Sequence, residues 1–345
     1  MRIVPSITIV LLALGSVTAA RAATPCQMQV LGEMTLKMDE EVPLVDAAIN
    51  GKPARMMIDT GSDTTLIFAQ TAADYGVVAL KMWGGAQSYG IGGGSDIGMA
   101  RLKSFKLAGL TATDYDVPVS GRALGAAQGL VGSNFLRHWD LEFDFAHEKM
   151  RFFKAQTCKG DQVVYWGAAY SAAPILASPN NDITVMVKIN GVPVRAQIDT
   201  GASVSTLTNE IAAKLGVRPN SDGVRPEGRI EGTGREKPRI YLGTFQTFSF
   251  GDETVKNATL RIADLFRADK TLPTGTDTRI ATDVVVEPDM LLGSDFLRYH
   301  RVYISRSQHM MYISYTGGRV FHPVQAEEQP SKPALPPGKP NEGSR

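Results

Sequence analysis

Cysteine is scarce in this chain, with two residues in 345, Cys26 and Cys158. That excludes a disulfide-dense scaffold and leaves too few thiolates for a structural zinc site. The five histidines show no metal-ligand spacing, so no metal and no other cofactor is expected. Excess charge of one sign is also missing. Lys and Arg number 36 against 35 Asp and Glu, a formal net charge of +1, so no electrostatic footprint for nucleic acid or an anionic membrane is present. Aromatic residues make up 8% of the chain and are not interleaved with basic ones, as a nucleic-acid surface requires. No apolar run reaches the roughly 20 residues that span a bilayer.

Hydrophobic residues make up 43% of the chain, enough for one sizeable core or two smaller ones. The first residues read as a secretory signal over 1–22. Arg2 supplies the positive start, Ile7 to Leu14 a short apolar run, and Ala20-Arg21-Ala22 a small-residue cleavage site. Thr24-Pro25 ahead of Cys26 does not resemble a lipidation box. The expected location is therefore periplasmic or secreted, with no stable membrane span after cleavage. In an oxidising compartment Cys26 and Cys158 read most simply as one disulfide closing a long loop, two free buried thiols being the alternative. Chain entropy puts such a staple at roughly 4–5 kcal/mol.

The chain repeats itself. Val45-Asp46-Ala47-Ala48-Ile49-Asn50-Gly51 precedes Met56-Met57-Ile58-Asp59-Thr60-Gly61-Ser62. Val185-Met186-Val187-Lys188-Ile189-Asn190-Gly191 precedes Ala196-Gln197-Ile198-Asp199-Thr200-Gly201-Ala202. The offset from Asp59 to Asp199 is 140 residues. Asn-Gly between two β-prone runs predicts a hairpin with a type I′ turn, whose second strand runs straight into Asp-Thr-Gly. A short helix follows in each half, Ala69 to Tyr75 before Gly76 and Thr208 to Leu215 before Gly216, both glycines suiting a left-handed cap. Glycine-rich segments then recur in register, Tyr89-Gly90-Ile91-Gly92-Gly93-Gly94 and Ile230-Glu231-Gly232-Thr233-Gly234. With no helix-forming run after it, the first is not a dinucleotide fingerprint. Glycines of this kind let a backbone approach a ligand closely.

Leu130-Val131-Gly132-Ser133-Asn134-Phe135-Leu136 and Leu291-Leu292-Gly293-Ser294-Asp295-Phe296-Leu297 close the repeat. Each leads into a strand pair. Leu141, Phe143 and Phe145 alternate with acids in the first, and Val302-Tyr303-Ile304 runs to Met311-Tyr312-Ile313 in the second. The offset has grown to 161 between Gly132 and Gly293, so the second half gains 21 residues, in the polar stretch 265–288. Two β-rich lobes are expected, at 23–158 and 182–322, joined by a Gly- and Pro-containing linker at 159–181. The Pro-rich tail 323–345 is expected to be disordered. Trp83, Trp139 and Trp166 read as packing residues.

Two Asp-Thr-Gly-[Ser/Ala] motifs, each paired with a later hydrophobic-hydrophobic-Gly, resemble the aspartic protease superfamily over roughly 46–314. The compact lobes and the flap in each resemble retropepsins, here as a single-chain tandem like the bacterial members; a pepsin-like relative is the alternative. The resemblance implies an all-β fold with short helices, in which two retropepsin-like β-barrel lobes are related by a pseudo-twofold axis. It implies a monomer containing an internal pseudo-dimer, acting on protein or peptide substrates. It assigns Asp59 and Asp199 as the catalytic pair, with Thr60, Gly61, Ser62, Thr200, Gly201 and Ala202 in support. The threonine hydroxyls are expected to bond across the junction, and Ser62 to donate to the outer oxygen of Asp59. Tyr89, Gly90, Ile91, Gly92, Gly232, Thr233 and Gly234 are the expected flap and substrate-binding residues.

One position departs from the family. Retropepsins usually place Arg after the glycine of the hydrophobic-Gly motif, and here Ser133 and Ser294 stand there, although Asn134 and Asp295 keep the next position. Asp63, left without that arginine, reads as a solvated turn acid. Two other readings of function compete with an endopeptidase of exported or envelope proteins. One is a catalytically silent peptide-binding module on the same fold. The other is a protease awaiting removal of a terminal segment, with residues 23–41 lying in the cleft.

Overall fold

The computed structural model describes residues 26–81, 87–121, 123–167, 169–178, 182–230, 232, 236–265 and 287–321, with backbone alone at 87–89. The 1–22 signal, Trp83, Thr233, Gly234, residues 266–286 of the insertion and the 323–345 tail lie outside the described residues.

Both halves open with the expected hairpin. Strands Val42–Ile49 and Lys52–Ile58 turn at Asn50-Gly51, and strands Thr184–Ile189 and Val192–Ile198 turn at Asn190-Gly191. Asn50 and Gly51 have φ of 51° and 79°, Asn190 and Gly191 of 50° and 78°, the paired positive values of a type I′ turn. The asparagine side chains do a second job. Asn50 Oδ1 accepts from the N–H of Ser104 and Asn190 Oδ1 from that of Thr247, each at 3.1 Å, which ties each hairpin to a long neighbouring strand.

That tie closes a barrel in each half. The first runs Val42–Ile49, Lys52–Ile58, Gly129–Val131, Leu66–Ile67, Leu110–Ser120 and Gly93–Leu107, which pairs back onto Val42–Ile49. The second repeats this order with Thr184–Ile189, Val192–Ile198, Met290–Leu292, Thr206–Thr208, Glu253–Ala263 and Arg239–Phe250, which returns to Thr184–Ile189. Inward-facing residues fill each interior, among them Ile49, Met56 and Phe105 in the first and Val187, Val194 and Phe248 in the second. The protein is thus mainly β, with two barrel lobes and a few short helices, as expected. Helix Ala69–Tyr75 ends at Gly76 with φ of 65°. Helix Asn209–Lys214 starts from Thr208, whose hydroxyl accepts from the N–H of Ile211 at 3.3 Å, and stops before Gly216.

Six strands of one continuous sheet join the lobes, in the order Ser171–Pro174, Met310–Tyr315, His300–Ser305, Asp140–Asp144, Lys149–Gln156 and Gln27–Asp39. The two halves meet where Leu141 pairs with Ile304 and Phe143 with Val302. The 159–181 connection therefore contributes a strand of its own. Gln27–Asp39 continues into the first barrel, with Leu36–Asp39 paired to Val42–Val45, so it is a sheet strand and not an occupant of the cleft. On the strand Asp140–Asp144, all three acids are buried. Burial of a charge is tolerated only with partners. Glu142 accepts from Arg301 Nε at 2.6 Å, Arg151 Nη1 at 2.9 Å and the Tyr165 hydroxyl at 2.7 Å. Arg301 comes from the second half, so this group links the lobes.

A disulfide joins Cys26 to Cys158, just beyond the Gln27–Gln156 pair, as the even cysteine count suggested. It is compatible with an extracytoplasmic location. Among the described residues no helix is long and apolar enough to cross a membrane. Trp139 packs on Phe135 and Phe152, and Trp166 bonds Ser314 Oγ at 3.0 Å, so both are packing residues.

Candidate active site

Strands Lys52–Ile58 and Val192–Ile198 deliver the two Asp-Thr-Gly loops to the junction. Each loop hangs from the hydrophobic-Gly strand of its own lobe, because the Asp59 N–H donates to Val131 O at 3.1 Å and the Asp199 N–H to Leu292 O at 3.0 Å. The loops then lock together reciprocally. Thr60 N–H donates to Thr200 Oγ1 and Thr200 N–H to Thr60 Oγ1, both at 3.1 Å. The hydroxyl of Thr60 donates to Ile198 O and that of Thr200 to Ile58 O, each at 2.6 Å. Both threonines are fully buried, so these bonds form away from competing water.

This grip brings the carboxyls together. A Cβ added to Gly61 would overlap the carboxyl carbon of Asp199, and one added to Gly201 would overlap that of Asp59. Asp59 Oδ1 accepts from the N–H groups of Gly61 and Ser62, both at 3.0 Å. Asp199 Oδ1 accepts from Gly201 at 2.9 Å and Ala202 at 3.0 Å. Burial is the largest influence on both groups and pushes each above the ordinary carboxylate range. Asp59 is held well above it, because the neighbouring Asp199 charge and a hydrogen bond shared with it add to burial. Two acids so placed cannot both ionise cheaply, and they share a proton.

Supporting contacts differ from expectation in two places. The Ser62 hydroxyl donates to Thr64 O at 3.0 Å, so it is the backbone N–H of Ser62 and not its side chain that reaches Asp59. Ser133 and Ser294, standing where arginine is usual, fold back onto the Asp-Thr-Gly loops: their hydroxyls donate to Thr60 O at 3.4 Å and Thr200 O at 3.2 Å.

Other supports escaped the sequence reading. Asn134 Oδ1 accepts from the N–H and hydroxyl of Thr65 at 2.7 and 2.8 Å, and Asp295 Oδ1 from the N–H and hydroxyl of Ser205 at 2.8 and 2.6 Å. In turn the N–H groups of Gly132 and Gly293 donate to those hydroxyls at 3.1 and 2.9 Å. Burial pushes Asp295 up to about 6, against the opposing bonds from Ser205. The available signal was a hydroxyl residue at the same distance past each aspartate. Gln197 also reaches across, its Nε2 donating to Gly61 O at 3.3 Å, while its repeat counterpart Met57 packs in an apolar cluster.

Asp63 is not a lone solvated acid. The residue is exposed, but its carboxyl lies against Asp182, and partial desolvation together with a hydrogen bond to that residue pushes it up to about 7. An ordinary Asp titrates near ~4 in the unfolded chain. Between those values the folded state holds more protons than the unfolded one, so stability falls as pH rises through the window. Asp63→Asn should therefore raise the melting temperature by an increment that grows from pH 4 to pH 8. Thermal melts at the two ends check this, and an equal increment at both would contradict it.

A cavity of about 480 Å³ opens on both carboxyls. Gly90 pairs with Gly93 around an Ile91-Gly92 turn, with φ of 87° and 89° at Gly92 and Gly93. Tyr89 pairs with Gly94 in the same ribbon. In the second lobe strand Arg225–Arg229 pairs with Arg239–Phe250, and Ile230 and Gly232 follow it. The two tips meet. Glu236 N–H donates to Gly92 O at 2.7 Å, and neither Gly92 nor Gly232 has room for a Cβ against the opposing backbone. Gly90, Ile91 and Gly232 line the cavity, whereas Thr233 and Gly234 lie outside the described residues.

Comparison with known families finds a match in each half. An aspartyl protease family matches residues 185–296, and a gag-polyprotein putative aspartyl protease family matches residues 45–138. The first match includes Asp199 and Gly293, the second Asp59 and Gly132, and together they span more than half of the chain. Comparison with curated proteins gives no significant match. The chain belongs to the retropepsin-like aspartic proteases.

Proposed function

We propose that the chain is an aspartic endopeptidase that hydrolyses peptide bonds of exported or envelope proteins. The observation that carries the reading is the pair of facing carboxyls at the cavity, each held by two backbone N–H groups and too close for both to be charged. One carboxylate takes a proton from a water as that water attacks the scissile carbonyl, while the protonated partner donates to the carbonyl oxygen. The resulting tetrahedral species collapses with proton return to the leaving amine, and no covalent enzyme intermediate forms. An extended peptide lies under the two tips, whose backbone groups bond its main chain.

In this reading residues 1–22 are removed on export. Lobes 23–158 and 182–322, joined through 159–181 and followed by the tail 323–345, act as a monomer in the periplasm or outside the cell. The silent-module reading is weaker for a physical reason. A binding module gains nothing from forcing two acids together, which costs stability at neutral pH.

The test is digestion of an unfolded protein by the chain lacking 1–22, across acidic and neutral pH. Internal cuts are expected, blocked by a peptide carrying a hydroxyl-bearing tetrahedral mimic of the scissile carbonyl. A folded chain that binds such peptides yet cuts nothing would support the silent module instead.

A further inference from the structure

The two halves of the cleft are built from matching positions with different chemistry. In the first lobe Ile67 pairs with Val119, which sets Pro118 level with Leu66. In the second Thr206, the repeat counterpart of Leu66, pairs with Arg261. Arg261 therefore stands where the first lobe has Pro118, and both line the cavity. The wall near Pro118 is apolar, with Leu66, Ile97, Leu124 and Leu130. Among the described residues the second lobe offers, beside Arg261, the small Ala202 with Val204 and Ile230 as apolar lining.

Arg261 is also held in place. Its Nε donates to Glu227 Oε2 at 2.6 Å and its Nη2 to Glu227 Oε1 at 3.1 Å, with side-chain exposures of 20% and 21%. Glu227 sits on Arg225–Arg229, the strand that leads into the second tip. The guanidinium is thus fixed between the barrel wall and the tip strand. A planar fork fixed in this way loses little further rotamer freedom when it binds an oxygen. Its five N–H groups exceed what one carboxylate can engage.

We propose that Arg261 makes the second-lobe half of the cleft a subsite for a side chain presenting an oxygen acceptor, an amide or a carboxylate, while the first-lobe half takes a large apolar side chain. The inference rests on the peptidase reading for its substrate class. The Glu227 charge distinguishes the two acceptor types: it repels a carboxylate and leaves a neutral amide unopposed.

Binding measured without turnover separates this inference from the catalytic one. Fluorescent peptides with an apolar anchor, and with Gln, Glu or Leu scanned through the flanking positions, are titrated against the Asp59→Asn chain. At one position Gln should bind about tenfold tighter than Leu, the scale of one charge-assisted hydrogen bond, and tighter than Glu, which the Glu227 charge opposes. Arg261→Leu should erase that preference. Because it strands Glu227, the Arg261→Leu/Glu227→Leu double replacement is made as well, removing both charges together. Leu binding as tightly as Gln and Glu at every position overturns the inference alone, as does a preference that survives in the double variant. Binding of no peptide at all by the folded chain overturns both the inference and the peptidase reading.

Discussion

Asp59→Asn and Asp199→Asn should each lower kcat by about a thousandfold or more and leave the melting temperature unchanged or higher. Asparagine nearly matches aspartate in shape, and its carbonyl oxygen can still accept from Gly61 and Ser62, or from Gly201 and Ala202. What it cannot do is exchange the shared proton. Burial holds both acids above their ordinary range, and the Asp199 charge adds to it at Asp59, so removing either ionisable group relieves a cost of folding near neutral pH. Peptide kinetics and thermal melts on both variants are the check. Retention of more than about a tenth of the activity by either variant would refute the assignment. Ser62→Ala should be mild, since its hydroxyl bonds Thr64 O and not the Asp59 carboxyl; a loss of about 1 kcal/mol of stability is the expected scale.

Gly61→Ala and Gly201→Ala should also cripple turnover, for a geometric reason. Each new methyl would occupy the place of the opposite carboxyl, and that carboxyl is pinned by two N–H groups of its own loop. The reciprocal threonine bonds keep the loops from separating to make room. Displacing a reacting group by about 1 Å costs on the order of a hundredfold in rate. Gly76→Ala is the contrasting control. Gly76 has a left-handed φ of 65° but open space around its Cβ, so this replacement should cost about 1 kcal/mol of stability and leave kcat alone. Equal kcat losses in Gly61→Ala and Gly76→Ala would show that general destabilisation, and not the carboxyl contact, explains both.

Much of this site was legible in the residues because its parts are local. Asn-Gly turns, Asp-Thr-Gly loops, capping glycines and hydrophobic-Gly segments each have conformational needs that few residues meet, and their repetition in register exposed them. The cysteine pairing followed from there being only two thiols. What stayed hidden depends on contacts distant in the chain. The acids of Asp140–Asp144 alternate with apolar residues, which separates the two faces of a strand, but alternation cannot reveal that Arg151 and Arg301 cover the acid face. A strand as short as Ser171–Pro174, inside a Gly- and Pro-containing connection, owes its existence to pairing with Met310–Tyr315. Ser133 and Ser294 looked like the loss of an arginine contact, and only the folded loops show them bonding Thr60 and Thr200 instead. The pairing of Arg261 with Glu227 likewise joins residues from two strands that no spacing rule connects.

The central claim is that one chain completes the catalytic pair, with Thr60 and Thr200 locking its two halves within a single molecule. Specific activity measured from micromolar down to nanomolar enzyme tests it most directly. The account predicts a constant value per chain over that range, because no association step is needed to bring Asp59 to Asp199. A steep fall on dilution, restored by adding back an inactive chain, would contradict it and place the two halves of the working site on different molecules.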